Sequence, residues 1–383
     1  MSTSNLLLIH PLLGTTDAWS GYLVEAAAQS ALNNPAVQAL CENPLLDEFD
    51  GRHPWFIPAT GTQNKRFVPV FAPTWSEAEK TLEASLRQAG HKVALKILAH
   101  DKLPATGAWD YLLIGVSHAR TLPPYSLLGL ASRTAVVATD IQSHTDHQWA
   151  QGNACTLGTT EFLMTRTSDN KKADVTRLKL LEMLSLIAED ANTDALESVF
   201  RQEAKLSYSL LRLVNSAANA PRTPITSFAQ AINLLGRRQL QRWLQLLVYA
   251  DPNNGQRPNP LLQKAAARGR LMEILSSQLS PESGIEYLND AAFMVGSFSL
   301  LDVLLNMSMG EILQQLSLPE PVRAALLAYH GQLGELLKLV NCAEARDFSS
   351  AERLLANQPF DGTAYVEAQL VALNWAAKIN PMA

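Results

Sequence analysis

Cysteine is scarce in this chain: Cys41, Cys155 and Cys342 are the only three among 383 residues, far apart and without C-x-x-C spacing. That odd, sparse set suits a reducing compartment better than a disulfide framework. Surplus positive charge is missing too. Thirty-one lysines and arginines face 36 acids, for a net charge of −5. A protein that neutralises many phosphates carries a basic excess, so nucleic acid is not an expected partner, and the pair Arg237-Arg238 is too little to change that. No apolar run reaches the roughly 18 residues of a membrane span. The first eight residues lack the cationic start of a leader. A soluble, cytoplasmic protein with no membrane partner is therefore expected. Charged residues make up only 17% and hydrophobic ones 47%, so the surface is rather apolar and compatible with a homodimer.

What is present fits two domains. In the first half Asn5–Ile9, Arg66–Phe71, Lys92–Leu98, Tyr111–Val116 and Thr134–Ala138 read as buried strands, while Ala78, Leu82 and Leu86 mark one helix face over Ser76–Gln88. Strands alternating with helices predict an α/β barrel or open parallel sheet, separated by loops such as Gly51–Gly61. Thr165–Asp174 is nearly all polar and reads as a linker. Beyond it the patterns are helical: Leu178, Leu181, Leu184 and Ile187; Leu206, Leu210, Leu213 and Ala217; Leu240, Trp243, Leu244 and Leu247; Val322, Ala325, Leu326 and Tyr329; Leu333, Leu336, Leu337 and Val340. Asp251–Pro260 breaks the run, and Ser349 with Glu352 offers a capping box. The expectation is an α/β domain over 1–168 and an all-α domain of about ten short helices over 175–383.

Two blocks in the helical half are distinctive. Leu206 to Ala217 reads LSYSLLRLVNSA, followed in order by Ile225-Thr226-Ser227-Phe228, Leu234-Leu235-Gly236-Arg237 and Trp243; Phe293 to Asp302 reads FMVGSFSLLD. Together they resemble the HDOD family, in the form joined to a degenerate EAL domain. Asn215 is expected to cap a helix end, Gly236 to allow a turn or close approach, and Asp302 to bond a backbone amide or an arginine. HD-type phosphohydrolases hold a metal with a His-Asp pair in the second block. The resemblance places Ser299 and Leu300 there, of which serine is a poor metal ligand and leucine none. His330 is the single histidine of this half.

The first half is similar to the EAL barrel through Leu8-Ile9-His10-Pro11-Leu12, Gly21-Tyr22, Val93-Ala94-Leu95, Asp110-Tyr111-Leu112, Val137-Ala138 and Gly158. An active EAL site holds paired divalent metals with several carboxylates, beside a lysine. The resemblance puts the motif's glutamate on Leu23, its arginine near Ala27, its aspartates on Lys96 and Ile97, and its lysine and next aspartate on Leu113 and Gly115. Two further glutamates fall on Thr139 and Gln142, and the glutamine on Leu157. Glu25, Asp101 and Asp140 read as isolated acids. The fold class implied is α/β plus all-α: a degenerate, shortened EAL-type (β/α) barrel followed by a helical HDOD domain. About 165 residues are available against roughly 250 for an ordinary barrel, which leaves closure open.

Three other constellations invite chemistry. His144-Thr145-Asp146-His147 would need a third ligand from His118 or Asp140, so a solvated loop is expected. Gly115-Val116-Ser117-His118-Ala119 approaches a nucleophile elbow, but Pro123-Pro124 argues against the helix an elbow requires. Gly331-Gln332-Leu333-Gly334 reads as a helix N-terminus, not a phosphate loop. Trp243, Trp375 and Tyr365 are expected in the core, with Trp19 and Trp149 lining any groove. The expectation is therefore a protein with no catalytic, cofactor-binding or metal-ligating residue and no cofactor, not an enzyme. It would be a signal-transduction adaptor acting through protein–protein interaction with other signalling proteins. The rival is a receptor that binds cyclic di-GMP without cutting it through Lys65, Arg66, Lys96 and Arg133, a ligand made less expected by the loss of the motif's arginine.

Overall fold

A computed structural model describes residues 5–379 apart from 28–31, 33, 124, 167–203, 217–220, 222–223, 251–257, 281–284 and 286. The expected linker from residue 167 onward and the face Leu178–Ile187 lie outside the described residues. The chain divides into two compact units. The first comprises Met1–Thr165 with Ala343–Glu352 and Asp361–Leu370; the second comprises Arg166–Cys342, Arg353–Phe360 and Val371–Ala383. The expected assignment of all of 175–383 to the helical domain is thus corrected, because two late segments pack with the strands.

In the first unit eight strands close a barrel in chain order: β1 (Leu7–Gly14), β2 (Trp19–Ala26), β3 (Trp55–Pro58), β4 (Phe67–Phe71), β5 (Ala94–Ile97), β6 (Tyr111–Gly115), β7 (Ala135–Thr139) and β8 (Cys155–Gly158). Strands β2 to β8 are parallel, and β1 is antiparallel to both β2 and β8. Closure with so few residues has a visible cause. A hairpin joins β1 to β2, and the crossovers β3–β4 and β5–β6 carry no helix. The other connections hold α1 (Pro35–Cys41), α2 (Glu77–Gln88), α3 (Val116–Ala119), α4 (Ser126–Ala131) and α5 (His144–Gly152). Helix α2 starts at a capping box formed by Ser76 and Glu79. Strands β2, β3 and β8 were not foreseen, and β3 lies inside the stretch expected to be loop.

Each strand sends one side chain into a shared interior layer: Leu12, Leu23, Phe56, Val68, Ala94, Leu113, Val137 and Leu157, none more than 8% exposed. Burying one large aliphatic or aromatic side chain contributes about 1.5–3 kcal/mol, so this layer is the main cohesive element of the barrel.

β8 pairs with β1 only at Leu13 and Gly14, which leaves the backbone edge near Leu7 and Ile9 to another partner. Gln369 supplies it. Its Nε2 donates to the Leu7 carbonyl at 2.9 Å, and its Oε1 accepts from the Ile9 amide at 3.1 Å. Gly362 lets this segment approach, since a Cβ there would stand 2.7 Å from the Leu6 nitrogen. Gln369→Ala orphans two buried backbone groups, at about 1–3 kcal/mol each. Urea unfolding should show a loss of about 2–4 kcal/mol; a loss below about 0.5 kcal/mol would mean that water serves this edge equally well.

From residue 204 the described chain carries α6 (Ala204–Val214), α7 (Phe228–Leu247), α8 (Pro260–Ser276), α9 (Leu288–Phe298), α10 (Leu301–Leu305), α11 (Met309–Leu313), α12 (Glu320–Ala328), α13 (Gly331–Glu344), α14 (Phe348–Leu355) and α15 (Gly362–Ala377). The helical faces read from the pattern are buried at Leu240, Trp243, Leu244 and Leu247, and at Leu333, Leu336, Leu337 and Val340. α7 kinks at Gly236, whose φ of 75° only glycine adopts freely. α8 and α9 cross at Gly269 and Gly296. A Cβ on Gly296 would meet the Arg268 carbonyl oxygen and the Gly269 Cα at 2.7 Å each. Among the described residues one stretch, Leu288–Leu305, is long and apolar enough to span a membrane, and it is 61% buried within the protein.

Candidate functional site at the barrel mouth

Side chains alternate along a strand, so the inward positions two residues beyond the aliphatic layer define a second layer at the C-terminal end of the parallel strands. That layer contains His10, Glu25, Lys96, Gly115 and Thr139, with Asp140 and Glu161 just past the ends of β7 and β8. Glu25 sits 3.7 Å from both the Lys96 Nζ and the His10 Nε2. Thr139 donates its hydroxyl to Asp140 at 3.3 Å. Gly115 has no side chain to displace that carboxylate: a Cβ there would lie 3.1 Å from Asp140 Oδ2. Arg346, from the late segment of the same unit, sets Nε 2.8 Å from Glu25, Nη2 2.6 Å from Glu161 and Nη1 3.5 Å from Asp140.

The structure separates the motif positions into two groups. Leu23, Leu113 and Leu157 form part of the aliphatic layer, while Lys96 and Thr139 reach the mouth. Glu25 and Asp140, expected to be isolated, both pair with Arg346. Glu161 and Arg346 were missed altogether, because no local pattern marks a contact between a residue after β8 and one after α13. Asp101 bonds the Leu98 amide at 2.7 Å instead. Divalent ions, which an EAL-type barrel would use, need oxygen donors gathered around one point at 2.0–2.6 Å. Here the three carboxylates are spread around a guanidinium, and among the described residues no group of three His, Cys, Asp or Glu is arranged to hold an ion. The residues as placed do not fit such metals.

The remaining candidates resolve individually. His144–His147 is not a loop but the start of α5, capped by Ser143. Both imidazoles pack on Phe162, and His147 Nε2 lies 2.7 Å from Asp17. Ser117 does enter a helix directly after β6, contrary to expectation, because α3 is a single turn that ends at Ala119, ahead of Pro123. The proposed phosphate donors are not brought together. Arg66 holds the carbonyls of Leu46 and Phe49, Lys65 lies near Gly90 and Arg133 near Gly107, so Lys96 alone reaches the mouth. Burial pushes the thiols of Cys41 and Cys155 up to about 11, which keeps them protonated at neutral pH.

In the helical unit Asn215 does not take the left-handed conformation expected of a cap. It works through its side chain, donating to the carbonyls of Leu211 and Ile225 at 2.7 Å and accepting from the Ile225 amide at 2.8 Å. Asp302 bonds the Val303 amide at 2.9 Å and pairs with Arg166 at 3.1 Å. Ser299 accepts from Arg268 at 2.6 Å and donates to the Gly296 carbonyl at 2.7 Å. Leu300 is buried. A second polar feature is an open cleft of about 550 Å³ lined by Arg238, Arg242, Tyr287 and Asp290, where Arg242 pairs with Asp290 at 2.7 Å and with Glu273.

Fold and sequence together define a closed eight-stranded, EAL-like barrel followed in the chain by a helical region that contains an HDOD domain. Residues 176–267 match the model of the HDOD domain family. The chain is 30% identical over 184 residues to the cyclic di-GMP phosphodiesterase CdgJ of Vibrio cholerae, covering 48% of this chain and 41% of that one. It is 30% identical over 199 residues to the uncharacterized protein YuxH of Bacillus subtilis, covering 51% and 46%. The chain thus spans less than half the length of these curated relatives. Among solved structures, the Bacillus subtilis YkuI protein, with an EAL domain and in complex with its substrate c-di-GMP and calcium, aligns with 60% of this chain and 72% of its own at 16% identity and a TM-score of 0.30.

The first relative corrects the expectation that the chain is not an enzyme. A protein 30% identical to it carries the name of a phosphodiesterase, so absence of catalysis does not follow from substituted motif positions. The physical reason is that matching positions by spacing shows which side chains are substituted, not which others a closed barrel gathers at its mouth.

Proposed function

We propose that this chain serves cyclic di-GMP signalling in the cytoplasm through protein–protein interaction, with the HDOD region meeting other signalling proteins or a second copy of the chain. The observation that carries the reading is the match of residues 176–267 to the HDOD family. The way the second block spends its polar groups supports it. Ser299 and Asp302 are held by Arg268, Arg166 and nearby backbone, so what this region presents outward is surface. Leu234, Tyr287, Leu327 and Tyr329 are large apolar side chains 44–55% exposed on that unit, and aromatic residues are favoured anchors at interfaces. Light scattering of the purified full chain, with cross-linking mass spectrometry in cells, tests the proposal. A dimer or a recurrent cross-linked partner is the expected result; a monomer without any partner would remove it.

A second reading, uptake of cyclic di-GMP by the barrel, is favoured by the name of the relative CdgJ. Titration calorimetry at tens of micromolar decides it, because heat is expected there for a ligand of ordinary micromolar affinity. Chelator-sensitive release of a linear dinucleotide would measure turnover separately.

A further inference from the structure

Arg346 is held by the barrel's own acids on three sides. Its Nε meets Glu25 from β2, its Nη2 meets Glu161 beyond β8, and its Nη1 faces Asp140 beyond β7. The side chains of Arg346, Glu25 and Glu161 are only 16–19% exposed. Only Nη1 makes a directed hydrogen bond, to Asp140; Nε and Nη2 stand at ion-pair distance from Glu25 and Glu161 without hydrogen-bond geometry, so the cluster is held by charge. The backbone adds an independent sign. Arg346 has a φ of 61°, a region that disfavours side chains other than those of glycine and asparagine. An arginine placed there carries a backbone cost that a glycine would not.

We propose that Arg346 is a latch: its guanidinium adds to Lys96 a second cation at the mouth, brought by the late segment, and it closes the barrel mouth until the segment 343–352 lifts. The seat is an acidic one that takes a cation, supplied in cis. Lifting the segment would leave Glu25 and Glu161 facing one another with Lys96 and His10 beside only the first, so the open mouth is an acidic one.

The test is chemical rescue in the full chain. Arg346→Ala should lower the Tm by roughly 5–10 °C, as expected for breaking a largely buried charge cluster. Methylguanidinium at tens of millimolar should return part of that loss by occupying the seat. It should not raise the Tm of the unaltered protein, and Arg346→Ala combined with Glu161→Gln should show no rescue. Arg346→Gly separates charge from backbone, because glycine tolerates the positive φ. A Tm equal to that of the unaltered protein in this variant would overturn the proposal, as would absence of rescue in the alanine variant. Where the alanine variant does not fold, Glu161→Gln loosens the latch from the opposite side. Hydrogen exchange over 343–352 should then accelerate, and unchanged exchange would overturn the latch equally.

Discussion

Leu23→Glu is expected to unfold the barrel at neutral pH and to recover part of its stability as the pH is lowered. The resemblance to EAL barrels puts the motif's glutamate at this position, so the variant restores the family's residue. The structure makes that restoration costly. Leu23 is 5% exposed and shares its layer with Leu12, Phe56, Leu113 and Leu157, which offer a carboxylate no donor. Loss of aliphatic burial costs about 2–3 kcal/mol, and forcing a buried carboxyl to remain protonated at pH 7 adds about 4 kcal/mol or more. The sum rivals the whole stability of a domain, about 5–15 kcal/mol. The sign of the pH effect follows from linkage. The folded pKa lies above the unfolded one, so the folded state binds more protons between them and stability falls as pH rises through that window. Denaturant midpoints for Leu23→Glu and Leu23→Met at pH 7 and pH 5 check this. The methionine variant should stay within about 1.5 kcal/mol of the unaltered chain. A glutamate variant as stable at pH 7 as at pH 5 would mean that the interior layer opens to solvent.

Gly296→Val should be as damaging to the helical unit. The Cβ of any residue there would stand 2.7 Å from the Arg268 carbonyl oxygen and the Gly269 Cα. Backbone, not a flexible side-chain tip, is in the way, so α8 and α9 must separate. Separation also disturbs the Ser299–Arg268 bond and the buried Tyr249 hydroxyl, which donates to the Ser297 carbonyl at 2.5 Å. Overpacking typically costs about 1–3 kcal/mol and more where backbone resists. A Tm loss of roughly 10 °C or outright failure to fold is expected. Gly310→Val serves as the control: a Cβ on Gly310 meets nothing within 4 Å, so only the small helix-propensity change should appear.

The strands that the sequence revealed are those with consecutive Val, Leu or Ile, such as Leu112-Leu113-Ile114 and Val136-Val137. Those it hid have a mixed inward face. β2 turns Gly21, Leu23 and Glu25 into the barrel, so glycine and glutamate break the apolar rhythm that a strand search relies on. β3 is four residues between Pro54 and a terminal Pro58, and proline reads as loop. The helices were legible because their apolar stripes are long, as in α13 and the second half of α7. The first HDOD block, Leu206 to Ala217, was legible as a family pattern and falls within the matched residues 176–267, while the second lies beyond them. The mouth was not legible. Glu25, Asp140, Glu161 and Arg346 come from four distant stretches and share no spacing, and only the closed barrel brings them within reach of one another. His144 and His147, expected in a solvated loop, instead open α5, and an aromatic neighbour, Phe162, takes both imidazoles.

The bond between Gln369 and the first strand has a consequence for biosynthesis. Leu7 and Ile9 leave the ribosome well before the side chain that satisfies them, which is encoded 362 and 360 positions later. Strands β1 to β8 can pair long before that, but the nascent barrel must wait with an unsealed edge while the stretch between β8 and Gln369 is translated. Contacts of such long sequence separation form late and slowly, and an exposed edge invites pairing with other chains. Polysomes stalled shortly before the codon for Gln369 would therefore carry the most aggregation-prone form of this protein.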